Sequence, residues 1–380
     1  MITKNFMIAL YNTTKQLKGL FDQSIVPKLE NKSARIFLDV RGMFINIHDA
    51  EGNRMLVEDF DRNGHLYSNK IINIINNWSN YFRSKNIDCK FVLFAETGDS
   101  VWHENLLENG YKIDRKTRRA KSIPEQERNK GSLYIKNELN NLAKTFNMLG
   151  TNVAVILSNQ LEIDLAPHFI IKHVDINPDH YYNIIFTKDK DIAQTIDENT
   201  IIVRKKVRGD YELIDKENAY KMLKLDKEID IQLFSIALSI LGDAADSIPG
   251  IKGCGEKSVS KFLHEHGENI LNIEQGGNIY EKVCLYCKDN MTQINKFLTK
   301  EKVVEDFGIS FACIDFDHII KHNYDYLIET IARKYMAICE SESLHEFFKQ
   351  EKERIFSMRM LNTCGITEEQ QYFNLKKGIK

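Results

Sequence analysis

Eight carboxylates in this chain are spaced in a way that suits divalent-metal chemistry on phosphate esters. Asp39 closes the apolar run RIFLDV, and Glu96 follows KFVLFA. Glu162 and Asp164 open LEIDLA behind NVAVIL, and Asp189 and Asp191 stand in TKDKD behind YNIIFT. Asp243 and Asp246 come later, in LGDAADSIPG. A single acid after a strand is a common turn former or helix cap. Acids behind four separate strands point further, because open parallel sheets bind ligands outside the carboxyl ends of their strands. Gathered in one crevice, such acids repel one another unless cations neutralise them. An oxygen set without His or Cys favours Mg²⁺ or Mn²⁺ over zinc. Two such ions about 4 Å apart activate a water and stabilise the leaving oxygen in phosphodiester hydrolysis.

Two further features suit phosphate binding. Between residues 112 and 121, Lys112, Arg115, Lys116, Arg118, Arg119 and Lys121 face a single acid, Asp114. A cationic segment in that place can guide a single-stranded end over the acids. The run GDAADSIPGIKGCGEK then places Gly250, Gly253 and Gly255, with Lys252 and Lys257, in a tight turn expected between two short helices. Glycines let a backbone approach a phosphate, and the following helix N-terminus offers free N–H donors. This is helix–hairpin–helix chemistry, which grips a duplex backbone without reading sequence. A smaller cluster, Arg204, Lys205, Lys206 and Arg208, reads as surface.

The elements that must position these groups follow from periodicity. Arg35–Val40, Lys90–Ala95, Asn152–Leu157, Tyr182–Thr187 and Thr200–Val203 read as short buried strands, and Asn69–Phe82 as a helix. Such spacing predicts an α/β fold with a mostly parallel sheet flanked by helices. Beyond residue 230 strand signals fade and helices dominate. The expected division is an N-terminal arm over 1–33, an α/β core over 34–230, a helical part over 231–345 and a tail over 346–380. The core includes a basic arch segment around 103–140.

Composition bounds the function classes. With 380 residues and a net charge of −2, the chain is not a polybasic coat for nucleic acid. Its seven cysteines are scattered, with one CxxC at Cys284 and Cys287, and read as free thiols in a reducing compartment. No apolar run approaches the ~20 residues of a membrane helix, so a soluble, cytoplasmic protein without membrane contact is expected.

The stretch GDAADSIPGIKGCGEKSVSKFL resembles the helix–three-turn–helix, or helix–hairpin–helix, of the 5′-nuclease superfamily of flap endonucleases and 5′–3′ exonucleases. FLDV, the acid after the second strand, YKIDR, EID and TKDKD follow in that family's order. The spacing from Glu96 to Lys112 and the late ACIDFDHII segment look most like its phage ribonuclease H branch. The resemblance spans roughly residues 34–340. It implies a PIN-like core with two Mg²⁺ ions, for which Mn²⁺ can substitute. It also implies metal-binding roles for Asp39, Glu96, Glu162, Asp164, Asp189, Asp191, Asp243 and Asp246, and a phosphate-facing catalytic pair, Lys112 and Arg115. The implied substrate is DNA with a 5′ flap, nick or RNA primer, handled by a monomer, with a single-strand-binding protein or sliding clamp as candidate partners. Three departures stand out. Glu96 replaces the family's usual Asp, Pro167 falls where a helix interior is expected, and Trp102-His103 stands where an arginine is usual.

Overall fold

The computed structural model describes residues 16–40, 66–98, 100–108, 110–113, 117, 125–149, 152–175, 178–205, 211–275, 277–290 and 301–339. Six strands form one sheet: β1 (Ser33–Asp39), β2 (Cys89–Glu96), β3 (Val153–Ser158), β4 (Tyr181–Phe186), β5 (Thr200–Lys205) and β6 (Tyr211–Ile214), in the order β3-β2-β1-β4-β5-β6. Every pairing is parallel except β5 with β6. Parallel sheets need both faces covered, which is why these strands are almost continuously apolar. Each expected strand is present within a residue or two of its predicted limits, whereas β6 was not anticipated. Its four residues, YELI, are half polar because it sits at the sheet edge with three of them only half-buried.

Alternation along the strands divides the core in two. On one face Ile36, Leu38, Leu93, Val155 and Ile184 meet α1 (Leu66–Arg83) through Ile71, Ile75, Trp78 and Phe82. The same face meets α3 (Glu125–Leu149) through Leu139, Leu142 and Phe146. Between β2 and α3 lies the short α2 (Val101–Leu106). On the other face Phe37, Val92, Phe94, Ile156 and Ile185 join a cluster that continues into the C-terminal helices. These are α5 (Phe234–Leu241), α6 (Glu256–Leu271), α7 (Ile279–Asp289), α8 (Glu301–Ile314), α9 (Phe316–Leu327) and α10 (Arg333–Cys339). The eight residues of α5, FSIALSIL, are apolar on nearly every side, and all but the last are buried. None of the described helices is long and apolar enough to cross a membrane.

Two local expectations change. Pro167 does not interrupt a helix; it occupies the first turn of α4 (Ala166–Phe169), where a missing N–H costs nothing, and a π-turn follows over Ile170–Val174. The helix after the glycine run, α6, is sixteen residues long rather than short.

One buried ion pair pins the C-terminal helices to the sheet. Arg35 on β1 is fully buried and forms a bidentate pair with Asp175, at 2.6 and 2.8 Å. Its guanidinium also donates to Asn183 Oδ1 (2.8 Å) and to the Tyr335 hydroxyl of α10 (2.5 Å).

Candidate active site

Asp39 and Glu96 are the last residues of β1 and β2, so parallel pairing brings both carboxylates to one end of the sheet. Asp39 is buried and accepts a hydrogen bond from Thr187 Oγ1 over 3.3 Å. Thr187, just past β4, also accepts from the Asp189 N–H (3.0 Å), and Asp189 Oδ1 accepts from the Asp191 N–H (3.0 Å). These turns fold the TKDKD segment back over the strand ends. After β3, Ser158 Oγ accepts from the Leu161 N–H (3.1 Å) and donates to the Leu161 carbonyl (2.6 Å), fixing the loop that carries Glu162 and Asp164. Ligand oxygens of Glu96, Glu162 and Asp164 all lie within 4.8 Å of one another.

The remaining two acids come from the turn after α5. Asp243 and Ile248 bond each other's backbone at 3.0 and 2.9 Å, which closes the turn. Asp243 lies 3.1 Å from Lys190 Nζ, and Asp246 lies 3.7 Å from Lys112 Nζ. Lys112, in the left-handed region at φ 55°, also pairs with Glu162.

Electrostatics matches this crowding. Burial, then Asp189, Glu96, Asp39 and Glu162, push Asp164 well above the usual carboxylate range. Burial and Asp189 do the same to Asp191. Asp189 is raised mainly by burial, against the N–H it accepts. Glu162 goes the other way: burial would raise it, but the Lys112 ammonium and the Tyr111 hydroxyl hold it low. The Lys112 ammonium is in turn stabilised by Glu162, Glu96 and Asp246 against its own burial.

Several residues here gave no clear signal in the sequence. Tyr111 donates its hydroxyl to Glu162, and its ring lies under Lys112 Nζ at 4.6 Å. His103 stacks on Tyr111 at 4.6 Å, donates from Nε2 to the Cys313 carbonyl (2.8 Å) and shares a 2.6 Å bond with Ser100 Oγ. Burial pushes its pKa below the ordinary histidine value, and the position where the resemblance led one to expect an arginine holds a buried imidazole. Lys190 could have been found, since it stands between two acids of TKDKD.

The glycine run behaves differently from its sequence reading at one position. Gly250 is buried at φ 63°, its N–H donates to Ser310 Oγ (3.1 Å), and a Cβ there would lie 2.5 Å from Gly242 N. It holds the turn against α5 and α8 and has no amide to offer a phosphate. Gly253 has φ 93°, and Gly255 is exposed at the start of α6 with open space about it. Lys252 and Lys257 are exposed. Arg115, Lys116, Arg118, Arg119 and Lys121 lie outside the described residues. Arg204 pairs with Glu212 across β5 and β6. Apart from the acids, His168 and His173 both bond Asp317 Oδ1, at 3.1 and 3.4 Å, clasping the α4 segment to α9.

No protein-family model matches the chain. Among curated proteins, DNA polymerase I of Borreliella burgdorferi is 27% identical over 202 residues, covering 50% of this chain and 20% of that one. A 5′-3′ exonuclease of Mycoplasmopsis pulmonis is 32% identical over 100 residues, covering 26% and 32%. The chain thus spans between a fifth and a third of the length of these relatives. Among solved structures, the zinc-bound T5 5′-exonuclease superimposes with a TM-score of 0.53 at 17% identity, over 81% of this chain and 100% of that one. The bacteriophage T5 flap endonuclease in a pseudo-enzyme-product complex with DNA and metal ions gives 0.54 at 15%, with the same coverage. In sequence, then, part of the chain is similar to proteins named DNA polymerase I and 5′-3′ exonuclease, and its fold is that of the T5 5′-exonuclease structures.

Proposed function

We propose that the chain is a metal-dependent 5′-nuclease, hydrolysing phosphodiesters near 5′ ends of DNA or RNA–DNA hybrids. The observation that carries this reading is the convergence of Asp39, Glu96, Glu162, Asp164, Asp189 and Asp191 at one end of the sheet, with Lys112 beside them. The donor set fits hard divalent cations. It is all oxygen, burial together with neighbouring carboxylates raises Asp164 and Asp191, and Asp191 keeps a buried oxygen that accepts no hydrogen bond. The two Mg²⁺ ions of this reading, or Mn²⁺ in their place, would supply an activated water and charge stabilisation at the leaving oxygen.

The chain's own groups do the rest. Lys112 and Arg115 offset charge on the pentavalent phosphate, while Tyr111 and His103 hold Glu162 and the Lys112 stem in place. Lys116, Arg118, Arg119 and Lys121 steer the single strand. Lys252, Gly253, Gly255 and Lys257 hold duplex phosphates. The working division keeps the core at 34–230, the helical grip at 231–345, and the arm and tail outside them. In this reading a monomer removes replication primers and trims flaps, alongside a single-strand-binding protein or sliding clamp.

The test is incubation with Mg²⁺ and, separately, a 5′-flapped, a nicked and an RNA-primed duplex, followed by sizing of products. Short fragments released from the 5′ strand support the proposal. Cleavage of unstructured RNA alone would instead favour an endoribonuclease of PIN type. Binding without cleavage would favour a structure-specific DNA-binding protein.

A further inference from the structure

The strand ends that carry the acids also carry a cationic cavity. It measures 390 Å³, and its polar lining is Thr97, Lys136, Asn140, Lys144, Asn159 and Lys334, without a carboxylate. Thr97 is the residue after Glu96, and Asn159 is the residue after the end of β3. Lys136, Asn140 and Lys144 recur every four residues along α3, which places them on one stripe of that helix. Lys334 comes from α10, which packs against β3.

Charge balance makes this arrangement unusual. Lys334 is half-buried and has no ion pair or hydrogen bond among the described residues, and burial alone pushes its ammonium below the ordinary lysine value. Lys136 and Lys144 are exposed at its mouth, and neither has a counter-ion among the described residues. Burying part of an ammonium without a partner costs free energy, and like charges around one cavity add to it. An anion in the cavity would relieve both costs. Asn140 and Asn159 add neutral amide donors, and lysines bind phosphate as mobile point charges.

We propose that this cavity is a phosphate-binding pocket for the backbone of the nucleic-acid strand that reaches the acids. The proposal rests on the nuclease reading for its occupant. β3 is the edge of the sheet, so the pocket carries the phosphate path outward from β2 past that edge. Thr97 in its lining directly follows Glu96, so the pocket adjoins the acids along that path. The contact is to phosphate alone and carries no sequence preference.

The test uses the full chain with Lys144→Met and Lys334→Met combined, which keeps the aliphatic stems and removes two charges. Binding of a 5′-flapped duplex is titrated in Ca²⁺ at several salt concentrations, on two unrelated sequences. The expected result is weaker binding by about ten-fold or more on both sequences and a salt slope smaller by about two. Lys334→Arg should stay near wild type. Inorganic phosphate should raise the melting temperature of the wild type more than that of the double variant. Wild-type affinity and slope in the double variant would overturn the pocket, provided the wild type itself binds and cleaves. A wild type that neither binds nor cleaves any flapped, nicked or primed duplex overturns the nuclease reading, and the pocket's occupant with it.

Discussion

Lys112 is tied to Asp246 twice: its backbone N–H donates to the Asp246 carbonyl over 3.0 Å, and its ammonium stands 3.7 Å from the Asp246 carboxylate. The foot of the cationic segment is thereby joined to the turn after α5, although 134 residues separate the two (246 minus 112). A left-handed backbone at Lys112 directs the side chain across that junction toward Glu162.

Lys112→Ala should therefore damage turnover more than binding. If the ammonium acts mainly as charge builds on the phosphate, kcat should fall by on the order of 10²–10³. The substrate Kd, measured in Ca²⁺ to block cleavage, should change far less. Single-turnover rates and binding titrations check this. A variant that binds roughly ten-fold worse but turns over normally would make Lys112 a steering charge only.

The acid cluster should be a source of instability without metal. The folded protein holds Asp164 well above the carboxyl range near 3.8 that it has when unfolded. A raised folded value means the favourable contribution is complete below about 3.8 and is lost as pH rises through the folded value. Under chelation, Asp164→Asn should melt above the wild type at pH 7, and the gap should narrow as the pH falls. Saturating Mg²⁺ should reverse the order at neutral pH by stabilising the wild type alone. Melting curves at two pH values, with and without Mg²⁺, decide it; a gap that does not narrow on acidification counts against mutual repulsion.

Two glycines of the same run should respond oppositely. Gly250→Ala combines a positive φ with a Cβ 2.5 Å from Gly242 N, and should cost on the order of 1–3 kcal/mol in denaturant unfolding. Gly255→Val meets open space in an extended conformation and should unfold like the wild type. If the turn grips duplex phosphates, Gly255→Val should nevertheless weaken duplex binding while sparing a short single strand. Equal losses on both ligands would make the turn purely structural.

Arg35→Met should be among the most damaging substitutions outside the acid cluster. It strands Asp175, whose carboxylate is 5% exposed and has lost both guanidinium bonds. Breaking one partner of a buried pair costs about 3–5 kcal/mol. Adding Asp175→Asn should recover part of the loss, which urea unfolding of the single and double variants would show. A double variant no more stable than Arg35→Met would mean packing around Tyr335 matters more than the charge.

The sequence by itself determined the α/β alternation, the parallel sheet and the placement of Asp39, Glu96, Asp189 and Asp191 at strand ends. Those features depend on local period and on the rule that parallel strands end together, both of which survive in one dimension. It missed β6, whose half-polar, half-buried edge position leaves little apolar signal. It could not find the props of Glu162 either. Tyr111 and His103 reach that carboxylate from 51 and 59 residues away (162 minus 111, and 162 minus 103), with α3 and β3 between them in the chain, a pairing that no local periodicity records. Gly250 shows the same limit in reverse. Its residue type announced a tight turn, but only the packed structure shows its N–H given to Ser310 and its missing Cβ filled by Gly242. Residue type fixes what a backbone position can tolerate, whereas which neighbour fills the space is decided by close packing between elements distant in the chain.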